Sequence, residues 1–407
     1  MRQTVKTFDG FRGAEQVVRK EGFYHAELDV VRFFAFLAVF LHHALPADSA
    51  LYSSAGLSTT AASWLLAVKQ AGSYGVDLFF TLSSYLITEL LIREHLTKGS
   101  LDIRAFYIRR ALRIWPLYFV FLGATVFFIP LILPDDKFNA HYAVSFALFS
   151  GNWVCAIEGL PFSVASPLWS ISVEEQFYLA WPLLLLLFGV SRIRKLAFVM
   201  LGVALALRTL LAVYDVAHPG VWCNTLARLD PIALGALLAV TLRGRAPRIT
   251  AAPRIALGVA SLTLFVIVAK YLKQDGLDSL ITYPLAAIAS VMLLVAALQT
   301  DAPILRRKPF SWLVYLGRIS YGLYIFHLLS LTLMSKQSSL LGIPMNFERR
   351  FVLSFVITVI LAAASYRWLE RPFLRLKNRF ARVPTHSALN NSEATVALPT
   401  APVTAHL

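Results

Sequence analysis

The length of its apolar runs constrains this chain more than any other feature. They form blocks of about 18–24 residues separated by short polar or basic segments, and a helix of about 20 residues crosses roughly 30 Å of hydrocarbon. Lipid offers no partner to a backbone N–H or C=O, so such blocks must be helices that satisfy their own backbone. The two-residue alternation of a membrane barrel is absent. Composition agrees: 57% of the 407 residues are hydrophobic and 15% are charged, against about a quarter charged in a soluble domain. The expected fold class is all-α, a polytopic transmembrane helical bundle.

Ten spans are expected, over residues 28–45, 74–92, 111–133, 173–190, 196–214, 230–242, 255–272, 279–298, 312–334 and 351–369. Basic segments lie at the N-terminus and at 93–113, 192–195, 243–254, 306–308 and 371–382, and the intervening loops are poorer in Lys and Arg. Ten crossings put all these basic segments on one side, so both termini are expected to be cytoplasmic. The pair Arg349-Arg350 is a small exception. Residues 142–156 are also apolar, but counting them as a crossing would move Arg192, Arg194 and Lys195 outside. They read instead as a re-entrant or interfacial segment.

Three regions follow: a cytoplasmic segment at 1–26 without a cleavable leader, a membrane domain at 27–374, and a disordered cytoplasmic tail at 375–407, rich in Ala, Thr, Ser, Pro and Asn towards its end. The net charge of +15 is accounted for by span-end anchors, and no basic face with base-stacking aromatics points to nucleic acid. Cys155 and Cys223 lack metal-ligand spacing, and no metal site is expected. The topology places both outside the cytoplasm, where a disulfide can form.

The first span carries the most chemistry. It runs from Glu27-Leu28-Asp29 through Arg32 and an uninterrupted apolar stretch to His42-His43. On a helix His43 lies about 20° from Arg32, roughly 16 Å further along; Asp29 is about 60° from Arg32 and His42 about 80° away. Asp29 and Arg32 read either as boundary residues or as one polar face with His43, turned to a protein interior. A neutral imidazole there can act as a general base near pH 7. At the start of the third span Arg110 and Arg113 share a helix face. They are either topology anchors or a bidentate phosphate site. Trp169, Ser172, Glu174 and Glu175 open the fourth span. Ser172 and one carboxylate suit a helix N-terminus; both carboxylates with Trp169 could instead orient a polar acceptor. Asp77 opens the second span, Arg228-Leu-Asp230 opens the short sixth, and His327 lies inside the ninth.

Taken in order, these segments resemble acyltransferase family 3, the integral-membrane O-acyltransferases. The resemblance runs through Leu28-Asp29, Arg32 and His43; Gly75-Val-Asp77-Leu-Phe-Phe; Phe106-Tyr-Ile-Arg109-Arg110-Ala-Leu-Arg113; Trp169-Ser-Ile-Ser-Val-Glu174-Glu175-Gln-Phe-Tyr178; Arg228-Leu-Asp230; Gly235-Ala-Leu-Leu-Ala; Leu316-Gly-Arg318-Ile-Ser-Tyr321 and His327; and Glu370 with Pro372. One departure is Leu82-Ser83-Ser84-Tyr85, where the family usually has glycine in place of Ser84.

The resemblance implies an enzyme moving an acyl group, acetyl being the commonest, from acyl-CoA to a hydroxyl of a carbohydrate or other envelope or secreted molecule. It places the family's essential histidine on His43, its Arg-x-x-Arg element on Arg110 and Arg113, and its Trp-to-Glu element on Trp169 and Glu174. His42 is a second catalytic candidate. Arg32, Arg110 and Arg113 are candidates for binding acyl-CoA, a co-substrate rather than a resident cofactor. Asp29, Asp77, Trp169, Glu175 and His327 are candidates for binding the acceptor. Glu174 is expected to orient the acceptor from outside. Whether an acyl-enzyme forms stays open, as does the choice among polysaccharide, lipopolysaccharide, peptidoglycan and a secreted small molecule. The expected location is a bacterial inner membrane. A transporter or flippase is the rival reading; no internal repeat or broken helix is visible in the sequence to favour it.

Overall fold

The structure is a computed structural model describing residues 25–54, 56–298, 310–340 and 346–380. Residues 1–24, the basic run at 306–308 and the tail from 381 onward lie outside the described residues. Every regular element among the described residues is helical. The α-helices of eight or more residues are, in order, α1 (Ala26–Ala44), α2 (Thr59–Ala71), α3 (Gly75–Lys98), α4 (Ile103–Phe127), α5 (Ala140–Ala147), α6 (Gly151–Glu158), α7 (Leu168–Phe188), α8 (Ile193–Val213), α9 (Leu229–Leu242), α10 (Ala251–Tyr271), α11 (Ser279–Ala297), α12 (Ser311–Arg318), α13 (Ser320–Leu340), α14 (Phe347–Ser365) and α15 (Arg371–Asn378).

Seven helical stretches among the described residues are long and apolar enough to cross a membrane: α2 running into α3, then α4, α7, α8, α10, α11, and α14 with its extension. The other helices in the expected set of ten differ for physical reasons. Helix α1 carries Glu27, Asp29 and Arg32 in its first two turns. Helix α9 has 14 residues, about 21 Å of rise. The ninth expected span is two helices, α12 and α13, interrupted at Ile319. Residues 142–156 form α5 and α6, eight residues each; at about 12 Å apiece neither can cross.

Three expectations change. The second span begins earlier, because α2 continues through a 3-10 turn at Gly72–Tyr74 directly into α3. The helices are not unbroken: besides Ile319, a π-helical turn at Tyr366–Glu370 joins α14 to α15, so continuity no longer counts against a transporter. The boundary at residue 375 also moves, since α15 continues to Asn378 and packs on α4, with Arg109 Nη1 donating to the Phe380 carbonyl at 2.8 Å. Cys155 and Cys223, where the sequence allows a disulfide, are free buried thiols.

Helix α1 sits at the centre, packed on α3, α12 and α13, and buries Leu28, Val31, Ala35, Phe36, Val39 and Phe40. Four arginines inside the bundle, Arg93, Arg109, Arg208 and Arg228, are paired with carboxylates, as desolvation demands. Arg228 Nη2 donates to Asp77 at 2.8 Å, with both side chains wholly buried. Its guanidinium lies 4.1 Å from the Trp222 ring and 4.5 Å from that of Tyr283, a cation–π cradle. Arg208 forks onto both oxygens of Asp230, and Arg109 Nη2 meets Glu94 at 3.0 Å. These pairs tie α3 to the turn before α9, α8 to α9, and α4 to α3.

Two crossings leave no space for a side chain. A Cβ on Gly317 would overlap the Asp29 carbonyl, which lets α12 lie directly on α1. A Cβ on Gly235 would overlap Ser84 Oγ and the Thr81 carbonyl of α3. Ser84 therefore fits without a gap because α9 supplies the missing volume, and its hydroxyl donates to the Thr81 carbonyl at 3.1 Å. Gly235→Val should destabilise the bundle by about 2 kcal/mol, read as a lower thermal midpoint in detergent; an unchanged midpoint would mean that α3 and α9 do not pack this way.

Candidate active site

Four of the residues singled out from sequence meet at a cavity of about 90 Å³ between α1, α3, α4, α7 and α13. Arg32, Arg110, Arg113 and Glu174 all line it, together with Ser83, Tyr178, Tyr321 and Tyr324. Arg32 comes from the polar face of α1 and is held by Asp29, whose Oδ1 accepts from Nη1 at 3.0 Å. Asp29 also lies 3.7 Å from Arg318, so it anchors both α1 and the end of α12. Arg110 and Arg113 are presented by the first half of α4, and neither makes an ion pair among the described residues. Arg110 lies over Phe106 and Tyr178, with 5.6 Å from guanidinium carbon to each ring centre, and its Nε is buried without a partner. A guanidinium pair without direct ion pairs in a protein interior has the chemistry to bind an anion.

Glu174 differs from its expected place. Helix α7 starts at Leu168 after Pro167, so Ser172 is not its cap; that hydroxyl bonds back to the Leu168 carbonyl at 3.3 Å. The carboxylates thus lie well inside the helix, beyond its first turn, where the helix dipole does not account for them. Glu174 faces the arginine cavity rather than the outside. Its two oxygens accept from Ser83 Oγ at 3.1 Å and from the Tyr178 hydroxyl at 2.9 Å. Glu175, one residue on, turns away and accepts from Trp115 Nε1 at 3.0 Å.

The histidines form a second cluster. The rings of His42 and His43 are 5.0 Å apart and those of His43 and His327 are 5.1 Å apart. Each ring points Nδ1 at a carbonyl: His43 at Val39, 3.0 Å; His42 at Lys69, 3.0 Å; His327 at Tyr324, 2.6 Å. A carbonyl only accepts, so Nδ1 carries the hydrogen and Nε2 is the basic nitrogen in all three. His43 is exposed, whereas His327 is wholly buried and its Nε2 has no partner. Tyr324 joins the clusters. Its ring is 5.6 Å from that of His327, it lines the cavity, and its hydroxyl meets Ser170 Oγ at 2.7 Å.

Two candidates lie elsewhere. Asp77 is engaged with Arg228, and Trp169 is buried against Trp222 at 5.4 Å and Phe80 at 6.4 Å. Neither lines the cavity. Sequence reasoning passed over Ser83, Tyr321 and Tyr324, because hydroxyls in apolar helices carry no spacing signal. It also passed over Lys377, which fell in the expected tail but rides on α15, within electrostatic reach of Arg32, Arg110 and Arg113.

Comparison with known proteins shows the family. A family model described as an acyltransferase domain matches residues 25–367. A Staphylococcus aureus protein provisionally named an O-acetyltransferase is 27% identical over 322 residues, covering 74% of this chain and 52% of the relative. The peptidoglycan O-acetyltransferase OatA of Listeria monocytogenes is 29% identical over 329 residues, with 74% and 51% covered. A Bacillus subtilis protein provisionally named a peptidoglycan O-acetyltransferase is 28% identical over 328 residues, with 74% and 50% covered. The chain spans about half the length of the curated relatives it matches. No solved structure matches. The family match takes in α1 with Arg32 and His43, the arginines of α4, Glu174 and His327, and on that extent the chain belongs to acyltransferase family 3.

Proposed function

We propose that the protein is a membrane O-acyltransferase that moves an acetyl group from cytoplasmic acetyl-CoA to a hydroxyl of an envelope glycan. The observation that carries this reading is the meeting of Arg32, Arg110, Arg113 and Glu174 in one cavity, with the exposed imidazole of His43 further along the same face of α1. Ten spans with both termini cytoplasmic would put the arginine end of α4 on the CoA side. In this reading Arg110 and Arg113 bind phosphate oxygens of the donor while its thioester enters the cavity. The cavity's roughly 90 Å³ is well below the 300 Å³ or more of pockets for larger ligands, which favours a short acyl group. The location follows as the inner membrane of a bacterium. The relatives' names favour peptidoglycan among the glycan acceptors.

The chemistry balances with the residues present. His43 Nε2 takes the proton of the acceptor hydroxyl, and the oxygen attacks the thioester carbonyl. The C–S bond then breaks, the new ester carries the acetyl group, and the CoA thiolate leaves and takes up a proton. His327, with its ring 5.1 Å from that of His43, is itself held by Phe36, whose ring lies 6.3 Å from that of His327. Glu174 holds Ser83 and Tyr178 in place and balances part of the arginine charge.

Cells carrying His43→Ala should lose envelope-glycan O-acetylation by about 100-fold or more, with normal protein levels; unchanged acetylation would remove His43 from catalysis. His42→Ala should cost far less, because His42 lies about 80° round α1 from Arg32, off the face that carries His43. In the purified protein, Arg110→Ala or Arg113→Ala should raise the KM for acetyl-CoA about tenfold or more. An unaltered KM would return both arginines to the role of topology anchors, and failure of the wild-type protein to transfer labelled acetyl to any hydroxyl product would favour the transporter reading.

A further inference from the structure

The end of the cavity nearest α15 carries more cations than carboxylates. Arg32 is paired with Asp29 and Arg109 with Glu94. Arg113 has Glu370 within electrostatic reach, but Glu370 takes its hydrogen bond from Ser365 at 3.2 Å. Arg110, Arg113 and Lys377 make no ion pair among the described residues. Lys377 stands on α15, an eight-residue helix packed along α4 and fixed there by the bond from Arg109 to the Phe380 carbonyl. The π-helical turn at Tyr366–Glu370 adds one residue per turn, and α15 follows from it without a gap. Three like charges drawn together around a half-buried lysine repel one another. An anion entering among them relieves that repulsion.

We propose that Lys377 is a donor-binding residue and that α15 closes the phosphate end of the site, with Lys377, Arg110 and Arg113 together holding the phosphate groups of a nucleotide thioester. The proposal deepens the acyl-CoA reading above and rests on it. The division of labour follows from side-chain chemistry. The two arginines present planar forks suited to bidentate phosphate contacts, and the lysine adds a point charge on a flexible stem that can follow a second phosphate. Neither Asp29 nor Glu94 competes for Lys377, because each is already held by an arginine. The reaction itself does not pass through Lys377, so its loss should weaken donor binding without altering the chemical step.

The test uses the full chain purified in detergent and titrated calorimetrically with coenzyme A, followed by turnover with acetyl-CoA. Lys377→Ala and Lys377→Gln should weaken coenzyme A binding about tenfold and raise the KM for acetyl-CoA to match, with kcat unchanged. Lys377→Arg should stay within about threefold of wild type. Removing a phosphate from the probe should shrink the gap: with 3′-dephospho-coenzyme A or pantetheine, wild type and Lys377→Gln should come closer than with coenzyme A. If Lys377→Ala does not fold, the Gln and Arg variants carry the same comparison. Equal coenzyme A affinities for wild type, Lys377→Gln and Lys377→Arg would overturn the role of Lys377 and leave the acyl-donor reading standing. No binding of coenzyme A by the wild type would overturn the acyl-donor reading, and this proposal with it.

Discussion

A guanidinium cannot be left bare among apolar helices, and where each arginine of this chain finds its counter-charge organises the molecule. Arg228 reaches Asp77 while lying between Trp222 and Tyr283. Arg208 forks onto Asp230, Arg93 meets Glu89 at 2.5 Å, and Arg109 meets Glu94. Each pair is buried, and breaking one by removing a single partner typically costs about 3–5 kcal/mol. Pairing of this kind fixes which helix lies beside which. It also makes the exceptions conspicuous. Arg110 and Arg113 line the cavity without an ion pair among the described residues, and the proposed donor site rests on that arrangement.

Two close backbone approaches set the helices around the cavity. Gly317 brings α12 onto the Asp29 carbonyl, and Asp29 then links Arg32 to Arg318. On the other side Gly235 lets α9 close on α3, which presents Ser83 to Glu174. The polar residues of the site are thus set by backbone contacts some distance from the chemistry, so small changes in helix spacing would move Arg32 and Glu174 relative to each other. Tyr324 connects this cavity to the histidines through its packing on His327 and its hydrogen bond to Ser170.

Much of this was legible in the sequence. Apolar block length gave an all-helical bundle, and helical geometry put Arg32 and His43 on one face of α1. The spacing of Arg110 and Arg113 correctly placed them on a shared face. Other features were hidden for physical reasons. Asp77 and Trp169 lie in motifs beside the site, yet pairing with Arg228 and packing on Trp222 take them out of it, and neither partner is near in sequence. Glu174 looked like a residue of a helix start because the apolar run begins after it; the helix itself begins earlier, at Leu168, through polar residues that the bundle buries. Lys377 sat in a polar, basic stretch with no membrane-length period, and only the docking of α15 on α4 brings it near the arginines.

The central claim is that an acetyl group passes from a donor on the arginine side to an acceptor on the histidine side. Purified protein reconstituted in vesicles of known orientation, with labelled acetyl-CoA on one side and a soluble glycan fragment on the other, tests it directly. The account predicts labelled ester on the glycan only when acetyl-CoA is supplied to the side bearing α15 and the start of α4. Equal labelling from either side, or consumption of acetyl-CoA with no ester formed, would contradict it.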